Sequence, residues 1–138
     1  MGGPGFCNGR TYNCFDNFFS QGFVVDGKKY MSSEQCYQAS KFADDSWHEK
    51  IRQTWNPHQA WSLGQSREHV LIPDLEEKKE YLMYKANYAK FSQNEQLEKN
   101  LLDTGDYEIN FIGSSPFWNA ANGRILTKIR EELRKGRG

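Results

Sequence analysis

Most apolar residues in this chain recur three or four positions apart, the spacing of a buried helix face. The first nine residues, Met1 to Gly9, break that rule: they are Gly-rich and expected to be a flexible lead-in, with the folded domain running from residue 10 to 138. An aromatic cluster of Tyr12, Phe15, Phe18 and Phe19 follows. Phe23 to Tyr30 reads as a β-hairpin, because Asp26-Gly27 supplies the positive φ values of a tight turn. Ser32 with Gln35 three residues on forms a capping box, which predicts a helix over about Glu34 to Ala43. A second helix begins at Asp45 or Ser46 and carries Trp47, Ile51 and Trp55. Asn56 caps a third, with Pro57 at its first position and Gly64 at its end. Pro73-Asp74 opens what reads as the longest helix, running to about Phe91. That helix shows one line of Leu75, Leu82, Ala86 and Ala89 and another of Tyr81, Tyr84, Tyr88 and Phe91. Asn94 caps a helix bearing Leu97, Leu101 and Leu102, and Gly105 stops it. Tyr107 to Phe111 alternates as a strand does. A loop through Ser114, Ser115, Pro116, Phe117 and Trp118 leads to a last helix with Ile125, Leu126, Ile129 and Leu133 as its buried stripe. The fold class expected is mainly α with a small β component, a short N-terminal hairpin and one further short strand, in a single compact domain. The βαβ alternation of a parallel sheet is missing.

Composition narrows the picture. A chain of 138 residues fits one domain, and a 14% aromatic share argues against disorder. Eighteen basic and eighteen acidic residues cancel, so overall charge draws the chain toward neither nucleic acid nor membrane. Basic residues do gather late: from Arg124 onward there are six, against two acidic ones, Glu131 and Glu132. A basic terminal helix suits its own dipole and is more often a solvated face than a DNA contact. Three cysteines, Cys7, Cys14 and Cys36, without a pairing spacing predict a reduced, cytoplasmic chain. His48, His58 and His69 are scattered, so neither a metal site nor a cofactor is expected. No stretch approaches the roughly 20 apolar residues of a membrane span.

The segment Ser33 to Phe42 carries the most chemistry. On a helix Glu34, Gln38 and Lys41 form one polar line, with Glu34 in the first turn, where the dipole favours its ionised form. Such a carboxylate suits a general base or the stabilisation of a cationic sugar. Spacing alone is more often that of a solvated helix face. Trp118 belongs to no periodic stripe and could stack on a base, although a large aromatic ring is more often a core plug. Asn17, set between Phe15 and Phe18, could offer its amide to a ligand edge or satisfy the local backbone.

The run from Ser33 to Phe42 resembles the S-E-H-Y-x-Q-A-x-K-F signature of the NADAR family, the YbiA-like N-glycosidases. Phe15-Asp16-Asn17-Phe18 looks like the family's F-S-N-F. Ile51-Arg52, Asn56-Pro57 and Leu63-Gly64 are similar to its I-R…S-P…L-G. Met83, Ala86, Ala89-Lys90-Phe91 and Gln93-Asn94 resemble its M-x-x-A-x-x-A-K-F-x-Q-N. Thr104-Gly105-Asp106, Phe117-Trp118 and Gly123 to Arg130 follow in order. No single piece is decisive; the order and spacing together are specific.

The resemblance implies an N-glycosidase that hydrolyses a ribosyl–base bond, with Glu34 as its catalytic carboxylate and substrate contacts at Asn17, Gln38, Lys41, Trp118 and Asn119. It implies as partner an ADP-ribosylated guanine, in DNA or a nucleotide, or else a ribosylated pyrimidine phosphate of riboflavin synthesis. Neutral net charge predicts only weak DNA contact, through the basic last helix. Departures gather at the implied site. Gln35 replaces the family His, Cys36 its Tyr, and Ser115 and Asn110 stand where acidic residues are common, while the loop after Trp118 is short. They leave open an alternative: an impaired module that binds ADP-ribose or NAD-type ligands without cleaving them.

Overall fold

The computed structural model describes residues 1–137. Strands β1 (Gly5–Cys7) and β2 (Arg10–Tyr12) lead through a single 3-10 turn (Asn13–Phe15) to a hairpin of β3 (Phe23–Val25) and β4 (Lys28–Tyr30). Helices α1 (Ser33–Ser40), α2 (Asp45–Arg52), α3 (Pro57–Gly64), α4 (Leu75–Ser92) and α5 (Glu95–Leu102) follow. Strand β5 (Ile109–Phe111) and helix α6 (Pro116–Arg137) complete the chain. The fold is mostly α with two small antiparallel sheets, β2-β1-β5 and β3-β4.

Local chemistry accounts for most boundaries. Asp26 and Gly27 adopt φ of 51° and 79°, closing the hairpin with Phe23 opposite Tyr30. Ser32 Oγ accepts from the Gln35 N–H at 3.0 Å and starts α1. Asp44 caps α2 through the N–H groups of Ser46 and Trp47. Asn56 caps α3 with Pro57 in its first turn.

Five expectations need correcting. The first nine residues are not a loose lead-in: β1 is the central strand of its sheet, paired with β2 on one side and β5 on the other. Its turn is Asn8-Gly9, with φ of 49° and 77°, the same device as Asp26-Gly27. Trp55 lies beyond α2 and is 93% exposed. The helix ends early because the Gln35 side-chain amide takes up the carbonyls of Ile51, Arg52 and Thr54. On α4 the buried face is Met83, Ala86, Asn87, Ala89, Lys90 and Phe91, while Tyr81 and Tyr88 face solvent; with 18 residues it is also shorter than α6, with 22. Asn94 holds the N-cap position of α5 but makes no side-chain capping bond, because its side chain is engaged by Gln21, Gly22 O and Lys90 O. Finally, the loop before the last helix is shorter than expected: α6 begins at Pro116, and Trp118 sits in its first turn, its N–H bonded to Ser115 Oγ at 3.3 Å.

The core has two parts. One gathers Phe15, Met83, Phe91, Leu101, Trp118, Ile125 and Ile129 from α4, α5, α6 and the sheet side. The other packs Phe23, Tyr30, Phe42, Ile51 and Ala60 between the hairpin and the first three helices. Helix α1 runs between them, giving Tyr37 to the first and Cys36 and Ala39 to the second. Every residue from Ser33 to Ala39 is buried. A helix so rich in polar side chains, buried on all sides, must satisfy those groups internally or hold them for a ligand.

Candidate active site

Glu34 is 0% exposed. The Asn17 carbonyl accepts its backbone N–H at 2.9 Å. Its Oε2 accepts from Gln38 Nε2, one helical turn on, at 2.5 Å. Among the described residues its Oε1 has no hydrogen-bond partner, and neither does Gln38 Oε1. Burial pushes the Glu34 carboxyl above the ordinary carboxylate range, against the opposing pull of the Gln38 bond. The Asp16 carboxylate adds to the upward push.

Asn17 stands at the head of a chain of buried amides. Ser33 Oγ donates to Asn87 Oδ1 at 2.9 Å, and Asn87 Nδ2 donates to Met83 O at 3.1 Å and Asn17 Oδ1 at 2.9 Å. Asn17 Nδ2 then donates to Asn122 Oδ1 at 3.1 Å and Met1 O at 2.7 Å. Asn122 Nδ2 reaches the same Met1 O at 3.2 Å. The segment Met1 to Gly3 thus lies across the site. The Met1 sulfur sits 3.9 Å from Gln38 Nε2, and the Gly3 N–H donates to Asp16 Oδ1 at 2.9 Å.

The other expected residues are placed as follows. Lys41 is buried, its Nζ 2.9 Å from Gly64 O at the end of α3. Arg67 Nη1 approaches the same carbonyl at 3.5 Å. Burial, with Arg67 second, lowers the Lys41 ammonium to about 8. Trp118 is 6% exposed and lies edge-on to Tyr37 at 5.2 Å and to Phe117 at 5.1 Å, inside the core. Both ends of the Asn119 amide are bonded to the Ser114 backbone. Glu34, Gln38 and Asn17 are therefore brought together, with Lys41 further along α1, while Trp118 and Asn119 are engaged by the protein itself. Of the basic residues on α6, Arg124 pairs with Glu80, Arg134 with Asp106, and Arg130 is buried against Thr104 and the Tyr107 carbonyl.

The departures read differently once placed. Gln35 points away from Glu34, its Oε1 accepting the Met31 N–H at 2.7 Å and its amide fastening the end of α2. Cys36 is buried on the side of the second core, where desolvation pushes its thiol up to about 12. Ser115 caps α6, and Asn110 is on the exposed face of β5. A second carboxylate, Asp16 from the segment before α1, acts on Glu34 through its charge alone, while the Met1 ammonium and Lys41 act in the opposite direction; its Oδ1 accepts the Gly3 and Phe18 N–H groups. Asp16, Asn87 and Asn122 were missed by the sequence reading. The usable signal for the last two is an amide on an apolar stripe: Asn87 is in line with Met83 and Phe91, and Asn122 with Trp118, Leu126 and Ile129.

These features define a single mostly helical domain whose central helix carries a buried carboxylate, paired by a glutamine one turn on and backed by an asparagine from an upstream loop. The chain belongs to the NADAR family: residues 5–134 match the NADAR domain. It is 33% identical over 131 residues to N-glycosidase YbiA of Escherichia coli (strain K12), covering 88% of this chain and 82% of that protein. N-glycosidase YbiA of Shigella boydii serotype 4 is 34% identical over the same shares. The riboflavin biosynthesis protein VVA0006 of Vibrio vulnificus is 32% identical over 128 residues, which is 86% of this chain and 35% of that protein. The NMR structure of Escherichia coli YbiA superposes with a TM-score of 0.84 at 32% identity, covering 91% of this chain and 80% of that one.

Proposed function

We propose that the chain is an N-glycosyl hydrolase that cleaves the bond between a ribose and a base, with Glu34 as its carboxylate and water as nucleophile. The observation that carries this reading is Glu34 Oε1, an acceptor held in the protein interior without a donor among the described residues. Gln38 fixes Oε2, so Oε1 is the atom left for substrate or water. Breaking a C1′–N bond develops positive charge on the sugar, and a buried carboxylate stabilises that charge strongly. The water oxygen bonds to C1′, its proton passes to Glu34, and the base leaves with the bonding pair and takes up a proton from solvent, to which Glu34 returns its own. Lys41 and Arg67, converging on Gly64 O, suit the phosphate of the substrate. The YbiA relatives carry the name N-glycosidase, which supports the reaction class.

The foremost substrate in this reading is ADP-ribosylated guanine, in a nucleotide rather than duplex DNA, because Arg124, Arg130 and Arg134 of α6 are already paired within the chain. Likeness to a riboflavin biosynthesis protein favours a second substrate, a ribosylaminopyrimidine phosphate. The impaired binding module is favoured by one observation: Glu34 and Gln38 are fully covered, with Met1 over Gln38.

The test is product analysis by mass spectrometry. Wild type and Glu34→Gln are incubated with ADP-ribosyl-guanosine, an ADP-ribosyl-guanine oligonucleotide and the ribosylaminopyrimidine phosphate. The expected outcome is release of free ADP-ribose by wild type alone, with the variant still folded. Release of ribose phosphate instead selects the second substrate. Activity retained by Glu34→Gln would remove Glu34 from its role. No product, with ADP-ribose raising the melting temperature, would favour the binding module.

A further inference from the structure

The amide chain behind Glu34 has one possible polarity. Met83 O is a backbone carbonyl and can only accept, so Asn87 must present its Nδ2 to it at 3.1 Å. The same Nδ2 then faces Asn17 Oδ1, which must accept. Asn17 in turn presents Nδ2 to Asn122 Oδ1, and Asn122 is left with only its Nδ2 to offer forward. No amide can flip without setting two like atoms against each other. The result is two N–H donors, one from Asn17 and one from Asn122, aimed at a single point occupied here by Met1 O at 2.7 and 3.2 Å. Neither residue has an acceptor to spare at that point, since both Oδ1 atoms already receive a bond. The clamp connects to Glu34 through Met1, whose carbonyl fills the clamp and whose sulfur lies 3.9 Å from Gln38 Nε2, the donor to Glu34.

The structure assigns Asn122, together with Asn17, as a specificity clamp for a ring carbonyl oxygen of the base, with the Met1 carbonyl standing in for that oxygen. The assignment rests on the N-glycosyl hydrolase reading and adds which part of the substrate is recognised. An acceptor-only oxygen matches two donors. A ribose hydroxyl can accept from the clamp only with its own proton turned away toward a separate acceptor, whereas a ring carbonyl needs none, and an exocyclic amine sets donors against donors. A phosphate has its own cations in Lys41 and Arg67, at the other end of α1. Both a purine and a pyrimidine base can supply the carbonyl, and either requires the Met1 to Gly3 segment to withdraw.

The experiment is equilibrium binding by the full chain, kept separate from turnover. Guanosine and uridine represent the two base types, and 2-aminopurine riboside is guanosine without the ring oxygen. Wild type is expected to bind guanosine or uridine at least about tenfold more tightly than 2-aminopurine riboside, because leaving two buried donors unpaired is costly. Preference for guanosine marks a purine substrate and preference for uridine a pyrimidine one. Asn122→Ala is expected to bring the ratio close to one, and Asn122→Asp to weaken the oxo nucleosides further. The Asn17 and Asn122 side-chain amide resonances should shift with guanosine or uridine and stay in place with 2-aminopurine riboside, a readout that needs no variant. Equal binding of all three by wild type, a ratio unchanged in Asn122→Ala, or no binding of any nucleoside would overturn the clamp. Absence of hydrolysis with the binding ratio intact would overturn the hydrolase reading and leave the clamp standing.

Discussion

Asp16 is within electrostatic reach of Glu34, and its charge works in the same direction as burial, raising the Glu34 carboxyl. A raised carboxyl holds its proton more tightly in the folded chain than in the unfolded one. The ionised form, which the proposed reaction requires, therefore accumulates only as pH rises through that raised value, and it lowers fold stability as it does so. Asp16→Asn removes one upward push while keeping Oδ1 for the Gly3 and Phe18 N–H groups. The acid limb of the pH dependence of kcat/KM should move to lower pH in Asp16→Asn, and an unmoved limb would mean that Asp16 does not act on the titrating group. At this scale the sequence exposed Glu34 and Gln38, because helical spacing alone puts them on one face. It did not expose which way Gln35 points, since a side chain at the next position is free to serve either neighbour until α2 is packed against it.

Between elements, α1 packs tightly against α3 at the site. A methyl group on Gly64 would overlap the Gln38 amide, the group that holds Glu34. Gly64 thus serves as more than a helix stop: it admits the Gln38 side chain between two helices, and the Lys41 ammonium binds its carbonyl. Gly64→Ala should lower stability by about 1–3 kcal/mol through overpacking. It should also reduce kcat, because Gln38 must turn away from Glu34. A variant with unchanged kcat and melting temperature would show that the helices can separate freely. Caps and the β3–β4 hairpin were readable at this level because their signals are local: Ser32, Asn56, Asp26-Gly27. The buried face of α4 was not, since its two apolar lines have similar strength and only the neighbouring helices decide that Met83 and Phe91 go inward while Tyr81 does not.

Across the whole molecule, one strand ties the segment before the helices to the strand that follows α5. Gly5 pairs with both Tyr12 and Phe111, and Phe6 with both Thr11 and Asn110. Proline cannot donate to a ladder and is poorly tolerated in a central strand. Phe6→Pro should therefore lower the urea midpoint clearly, and an unchanged midpoint would show that β1 contributes nothing to the fold. The Asn8-Gly9 turn was a legible hairpin signal, but a Gly-rich beginning argued more loudly for looseness. The pairing with β5 lay beyond any local pattern.

That pairing also orders events during synthesis. β1 leaves the ribosome before either partner and pairs with β2 soon after, yet its second edge stays open until Phe111 has been made. Contacts between such distant positions form slowly, and an open strand edge is a template for another chain. The nascent protein is thus most exposed to self-association before β5 is made. Slower translation through α4 and α5 would prolong that interval.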